Sequence, residues 1–187
     1  MNSVQENEEY PLSLLQAISA HDQNAMRSFY ELFQSTVYAF AIKRLGSQAD
    51  ALDVLNEVMF DVWNGAGRFE GRSRVKTWLL GITNFKVIDV LRKRGRNDHE
   101  ELDEEIPDES NTGAFSEIAA NNDAGLIRRC IEKMKDIHRQ VVHLAFFEEL
   151  SYPEIAEVLG CPAGTVKTRM MHAKSGLKAC LEALGLS

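Results

Sequence analysis

The stretch Glu149–Lys174, ELSYPEIAEVLGCPAGTVKTRMMHAK, decides the fold of the C-terminal part of this 187-residue chain. Ser151 is followed three residues later by Glu154, a capping-box pair that starts a helix, and Gly160 stops that helix by taking a left-handed conformation. A few residues later a second helix begins. Ile155, Ala156, Leu159 and Val166 are apolar where two crossed helices touch, which is the helix-turn-helix pattern. Placed at 100° intervals from Val166, the residues Met170, Ala173, Leu177 and Leu181 fall within about 60° of it and face a core. Lys167, Thr168, Met171, His172 and Ser175 fall on the opposite face. In a major groove they meet base edges, Lys167 by donating to guanine and Met171 by apolar contact with a thymine methyl. Arg169, Lys174 and Lys178 flank that face, where phosphates lie. The bland alternative is an amphipathic helix with a solvated basic face, but it leaves the fenced first helix and the short turn unexplained. His172 has no second ligand at helical spacing, so no metal site is expected, and Cys161 reads as a small packed residue.

The charge balance fits this reading once it is resolved along the chain. The net charge is −7, an unpromising value for nucleic acid. Yet Asn97–Asp123 holds ten Asp or Glu and no Lys or Arg, so without it 21 basic residues face 18 acidic ones. From Arg68 to Arg96 nine Lys or Arg face only Glu70 and Asp89, and from Cys161 onward four face only Glu182. Two basic segments are separated by an acidic one.

The remaining pattern is helical, since three-and-four spacing recurs and no sustained two-residue alternation does. Helices are expected at Leu12–Ala20, Gln23–Leu45, Ala49–Trp63 and from a Ser73 cap to Arg96, with a loop at 64–72. Four shorter helices follow from Asp123: 123–135, 137–149, 152–159 and 163–184. Phe29, Leu32, Phe33, Val37 and Phe40 share one side of the second helix; Ala51, Val54, Leu55, Val58 and Val62 share one side of the third. Val75, Trp78, Leu79, Ile82 and Phe85 read as the buried stripe of the fourth, and Asp89 on that stripe is expected to pair with Lys93 or Lys86. The acidic stretch, with Pro107 and Gly113, has the composition of a flexible tether. The fold class is therefore all-α: two small helical domains, 1–96 and 123–187, joined by an acidic linker at 97–122, the second containing the helix-turn-helix.

Several classes are excluded. No apolar run approaches the roughly 20 residues that span a bilayer, and the polar, acidic start is unlike a secretory signal, so a cytoplasmic chain without membrane insertion is expected. Three cysteines, Cys130, Cys161 and Cys180, include no C-x-x-C pair; reduced, structural thiols are the expectation. No His, Cys and carboxylate constellation with ligand or nucleophile spacing is found, so the chain reads as no enzyme, with no catalytic residue, metal or cofactor.

At this point a family resemblance becomes specific. Glu149–Lys174 closely resembles the promoter-binding helix-turn-helix of extracytoplasmic function (ECF) sigma factors. Asp50–Trp63, DALDVLNEVMFDVW, with Arg68–Arg92, RFEGRSRVKTWLLGITNFKVIDVLR, resembles the region with which these factors grip RNA polymerase and open the minus-ten element. The resemblance implies a factor that binds core RNA polymerase, through the beta-prime clamp helices and the beta flap, and directs it to promoter DNA; an anti-sigma factor or other inhibitor is a further implied partner. It places polymerase docking on Asp50, Leu52, Asp53, Asn56, Glu57, Met59 and Phe60. Minus-ten binding falls on Arg68, Phe69, Arg72, Arg74, Lys76, Asn84, Lys86 and Arg92, and minus-thirty-five binding on Lys167, Thr168, Arg169, Met171, His172, Lys174, Ser175 and Lys178. Arg92, Lys93, Arg94 and Arg96 suit phosphates near the duplex end. Trp78 reads as core before it reads as a stacking surface. Two departures stand out: Leu52 occupies a position commonly acidic in this family, and Asn56 one that is commonly glutamine. Docking that is weaker than usual, or partly apolar, is the expectation. A stand-alone helix-turn-helix regulator is the competing class; it shares the C-terminal motif and leaves RFEGRSRVKTW unexplained.

Overall fold

A computed structural model describes residues 3–100 and 123–185. Its helices are α1 Ser3–Ser19, α2 Gln23–Leu45, α3 Gln48–Gly65, α4 Val75–Glu100, α5 Asp123–Glu132, α6 Asp136–Phe146, α7 Tyr152–Leu159 and α8 Ala163–Ala183, with a 3-10 turn at Ala66–Arg68 and no strand among the described residues. The chain divides into two compact units, the first comprising residues 1–101 and 157–160 and the second 102–156 and 161–187. Of the expected tether, residues 101–122 lie outside the described residues. Residues 97–100 belong instead to the last turn of α4, because this polar stretch contains no Gly or Pro to stop the helix.

In the first unit, α2 starts at Asp22, whose carboxylate accepts the N–H groups of Asn24 at 2.8 Å and Ala25 at 3.2 Å. It ends at Gly46, whose φ of 67° is the left-handed value that glycine adopts without strain. Phe29, Phe33, Val37 and Phe40 are buried as expected, but Leu32 is 41% exposed; it lies about 100° round the helix from the centre of their stripe. Ser47 caps α3 by accepting Asp50 N–H at 3.3 Å. The buried face of α3 is the expected one, Ala51, Val54, Leu55, Val58 and Val62, joined by Met59.

Helices α1 and α4 depart further from expectation. The first begins at Ser3 rather than Leu12 and runs through Pro11. Proline removes a helical hydrogen bond, but Pro11 itself is buried and Leu14, Leu15 and Ile18 beyond it are too, so packing outweighs local propensity. In α4 the buried residues are Val75, Thr77, Leu79, Leu80, Thr83, Asn84 and Val87, whereas Phe85 is 67% exposed. Because α4 packs on both α2 and α3, its inner face is centred near Thr83, about 160° from Phe85.

The second unit buries Cys130, Val141, Val142, Leu144, Leu150, Ile155, Val166, Met170 and Ala173, with α8 packed on α5 and α6. Its unexpected feature is a disulfide between Cys130 and Cys180, with Cα atoms 5.9 Å apart at a sequence separation of 50. The expectation of reduced thiols is thereby corrected for this pair, while Cys161 is a free thiol. Cysteine spacing could not reveal the pair, because it is the packing of α5 along α8 that brings the two together.

Candidate nucleic-acid interface

The first helix of the helix-turn-helix, α7, is fenced at both ends. Ser151 N–H donates to Glu154 Oε2 at 2.8 Å, and the Ser151 hydroxyl donates to the same oxygen at 2.6 Å. At the other end Cys161 N–H reaches Ala156 O at 3.0 Å, Gly160 N–H reaches Glu157 O at 3.3 Å, and Gly160 has φ 61°. These are the paired bonds of a Schellman stop, which aims the chain into α8. Val166, Met170 and Ala173 are buried, Leu177 and Leu181 half-buried, and Lys167, Thr168, Met171, His172 and Ser175 exposed together on the opposite face.

Lys174 is exposed, and Lys178 makes a loose pair with Glu182 at 3.7 Å between largely exposed side chains, an interaction readily exchanged for a phosphate. Arg169 is half-buried against the Cys161 sulfur at 3.9 Å. The Thr168 hydroxyl donates to Gly164 O at 3.1 Å, leaving its oxygen lone pairs outward. His172 stacks on His138 of α6, with ring centroids 5.9 Å apart and planes at 22°, a neighbour that the sequence of α8 alone could not reveal. The pKa of His138 is lowered by partial burial first, then by the nearby charges of His172, Lys135 and Arg169.

In the first unit Arg68, the last residue of the 3-10 turn, and Arg72, in the loop between that turn and α4, are both exposed. Phe69 lies against Trp78 with ring centroids 5.3 Å apart, so Trp78 is half-buried by the loop itself. Arg72 pairs with Glu70 at 2.7 Å, and Gly71 supplies a φ of 69° at the bend. Arg74 and Lys76 are half-buried at the start of α4, and Arg92 is exposed further along. Two residues assigned to the minus-ten element are drawn elsewhere. Lys86 turns toward α3, with its Nζ 2.9 Å from Asp61 and 3.4 Å from Glu57; those contacts hold its pKa above the usual lysine value. The side-chain oxygen of Asn84 accepts from the Arg44 guanidinium of α2. Asp89 pairs with Lys93 at 2.9 Å, one of the two expected partners. Arg94 is not left for phosphate either: it binds Asp50 and donates to Leu45 O at 2.8 Å.

The acidic stripe of α3 is therefore largely neutralised within the unit. Asp50 is taken by Arg94, whose hydrogen bond lowers its pKa, and Glu57 and Asp61 are taken by Lys86. Met59, assigned to docking, is buried; it follows the hydrophobic stripe rather than the face beside it. What α3 presents outward is Asp53 and Asn56 between two apolar side chains, Leu52 at 50% and Phe60 at 67% exposure. No described helix is long and apolar enough to cross a membrane, and no metal-binding cluster of His, Cys, Asp or Glu is present among the described residues.

Comparison with known proteins assigns the class. Sigma-70 region 2 matches residues 29–97 and Sigma-70, region 4 matches residues 124–177, which places the chain among the sigma factors, initiation factors rather than enzymes. ECF RNA polymerase sigma factor RpoE of Cereibacter sphaeroides is 30% identical over 172 residues, covering 89% of this chain and 92% of that protein. SigK of Mycobacterium tuberculosis is 25% identical over 176 residues, covering 91% and 92%. The fold matches that of the sigma factor RpoE solved with the anti-sigma factor NepR from Bartonella quintana, at a TM-score of 0.64 and 23% identity over 83% of this chain and 96% of that one. The chain belongs to the ECF sigma factors, the subunits that direct RNA polymerase to promoters and start transcription there.

Proposed function

We infer that the two units read the two halves of one promoter, the second inserting α8 into the major groove of the minus-thirty-five element and the first opening the minus-ten element. The observation that carries this reading is the exposed face of α8, where Lys167, Thr168, Met171, His172 and Ser175 stand together on a helix fixed by its turn. Opening a base costs a few kcal/mol of stacking, which a binding surface offsets with aromatic and cationic contacts. The loop carrying Arg68, Phe69 and Arg72 supplies both. Core polymerase is proposed to be held by α3 against the beta-prime clamp helices, by its Leu52, Asp53, Asn56 and Phe60 face, with the beta flap contacting the second unit. Each unit alone binds weakly; held on one polymerase at fixed separation, their effects multiply.

A first domain that runs to the end of α4 at Glu100, a second domain from 123 to 187 with an acidic segment between them, a cytoplasmic site of action and an inhibitor of the anti-sigma class complete the reading. The complex in which a relative of this fold was solved supports the last. Phosphodiester chemistry belongs to polymerase, so the chain itself needs no catalytic group. The test is transcription by purified core polymerase from a genomic DNA library, with and without this chain, mapping start sites. New starts that share two sequence elements at fixed spacing are expected; identical starts in both reactions would overturn the reading.

A further inference from the structure

We propose that α1 is the positioning element for the DNA-opening loop and that Glu8 is its positioning residue. This rests on the reading of Arg68–Arg74 as the minus-ten contact. The loop runs from the 3-10 turn at Ala66–Arg68 to the first residue of α4, and α1 holds both of its ends.

At the far end, Val75 N–H donates to Glu8 Oε2 at 3.1 Å. The expected local cap, Ser73, lies one residue too early: Arg74 occupies the cap position, since its carbonyl accepts Trp78 N–H at 3.0 Å. A carboxylate 67 residues away in sequence thus satisfies one of the orphan N–H groups of α4 and sets a negative charge at the positive end of its dipole. At the near end, α1 packs on the 3-10 turn. A Cβ on Gly67 would sit 3.7 Å from the Ser19 Cβ, so the backbone of the turn rests on the last residue of α1. Glu8 and Ser19 are eleven residues apart, about 16 Å along the helix at 1.5 Å per residue, and the loop is strung between them.

Beneath the middle of the loop is a hollow of about 340 Å³, walled by Leu12, Leu15 and Ser19 of α1 and by Ala66, Phe69 and Gly71 of the loop. Phe69 rests on Trp78, but the stretch through Gly71 spans the hollow, so its shape depends on where the ends of the loop are fixed. An opening surface must be ordered before it meets DNA, because ordering it during binding subtracts from the free energy available to unstack bases. Releasing Val75 from Glu8 loosens the end from which the reading helix starts. The helix α1 lies wholly before residue 29, where the match to Sigma-70 region 2 begins, so the role falls outside the matched segment.

The experiment compares the wild-type chain, Glu8→Gln and Glu8→Leu, each assembled with core polymerase. The templates are the strongest promoter recovered from the genomic library, as a duplex and with its minus-ten element pre-opened by mismatches. Expected are an open-complex rate on the duplex about tenfold lower for Glu8→Leu, a loss of the size that removing one cap produces, and a smaller loss for Glu8→Gln, which keeps an acceptor oxygen. Both variants should equal wild type on the pre-opened template and in affinity for core polymerase. Equal rates for all three on the duplex overturn the proposal, as does an equal loss on both templates, which is the signature of a merely misfolded unit. A wild-type chain that opens neither template differently from core polymerase alone defeats the underlying reading of the loop, and the proposal with it.

Discussion

Arg94 of α4 binds Asp50 in the first turn of α3, and the same guanidinium takes the Leu45 carbonyl at the end of α2 at 2.8 Å. One side chain thus joins three helices where α2 turns into α3. It also removes Asp50 from the surface that an acidic docking stripe would offer. Asp50→Asn is expected to leave affinity for core polymerase within twofold, while Asp53→Asn lowers it several-fold; titration of labelled chain with core polymerase separates the two. Both partners are more than a third exposed, so solvent screening limits the stability loss in Asp50→Asn to about 0.5–1 kcal/mol. The hydrogen bond from Arg94 depresses the pKa of Asp50 below 3.8 in the folded chain. Its contribution is therefore complete above pH 3.8 and disappears as pH falls through the lowered value. Urea unfolding between pH 2 and 6 should show that dependence in wild type and a flatter one in Asp50→Asn.

The disulfide ties the last turns of α8 to α5 across 50 residues. Loop closure of that length limits the unfolded chain, and its removal is expected to cost about 2–4 kcal/mol. The double variant Cys130→Ser/Cys180→Ser, or the wild type in excess dithiothreitol, should lower the unfolding free energy of the second unit by that amount and shift its urea midpoint down accordingly. Cys161→Ser should not. Identical urea curves for the oxidised and reduced chains would show that the bond contributes nothing.

These contacts also mark where reading the sequence stops. The helix-turn-helix was legible because its signals are local: Ser151 with Glu154, Gly160, and the spacing from Val166 to Ala173 each act within a few residues. The buried stripe of α3 was legible for the same reason. Glu8 on Val75, Arg94 on Asp50, Arg44 on Asn84 and Cys130 with Cys180 are separated by 40 residues or more, and no local rule foretells such pairs. The same limit explains Lys86 and Phe85. The wheel gave their angle on α4, but which neighbours the helix would meet decided that Lys86 faces α3 and Phe85 faces outward.

His138 lies beside the exposed face of α8, in surroundings that favour its neutral form. Partial burial is the first cause of its lowered pKa, and the charges of His172, Lys135 and Arg169 add to it. In the unfolded chain it protonates near 6.5. As pH falls from there toward the lowered folded value, the unfolded chain takes the proton first, so the folded state loses stability across that window and loses no more below it. Proton NMR titration should find His138 below 6.5 in wild type. It should find it closer to 6.5, yet still below, in His172→Ala, because burial persists when the neighbouring charge is removed. A His138 that titrates at or above 6.5 would contradict this account of its surroundings.

Leu52 offers the most direct test of the proposal that α3 engages polymerase. It is 50% exposed on the face with Asp53, Asn56 and Phe60, at a position where ECF sigma factors commonly carry an acidic residue, and the other carboxylates nearby are taken by Arg94 and Lys86. If the partner surface is basic, Leu52→Glu adds a charge that is not neutralised within the unit. It should then bind core polymerase about two- to fivefold more tightly at low salt, a gain that shrinks as salt shortens the Debye length from about 10 Å at 0.1 M. Leu52→Ala distinguishes the apolar alternative: it weakens binding at every salt concentration if Leu52 buries surface against polymerase, and changes little if the site awaits only charge. Unchanged or weaker binding by Leu52→Glu, with weaker binding by Leu52→Ala, would establish Leu52 as an apolar anchor and dispose of the view that its loss of charge attenuates docking.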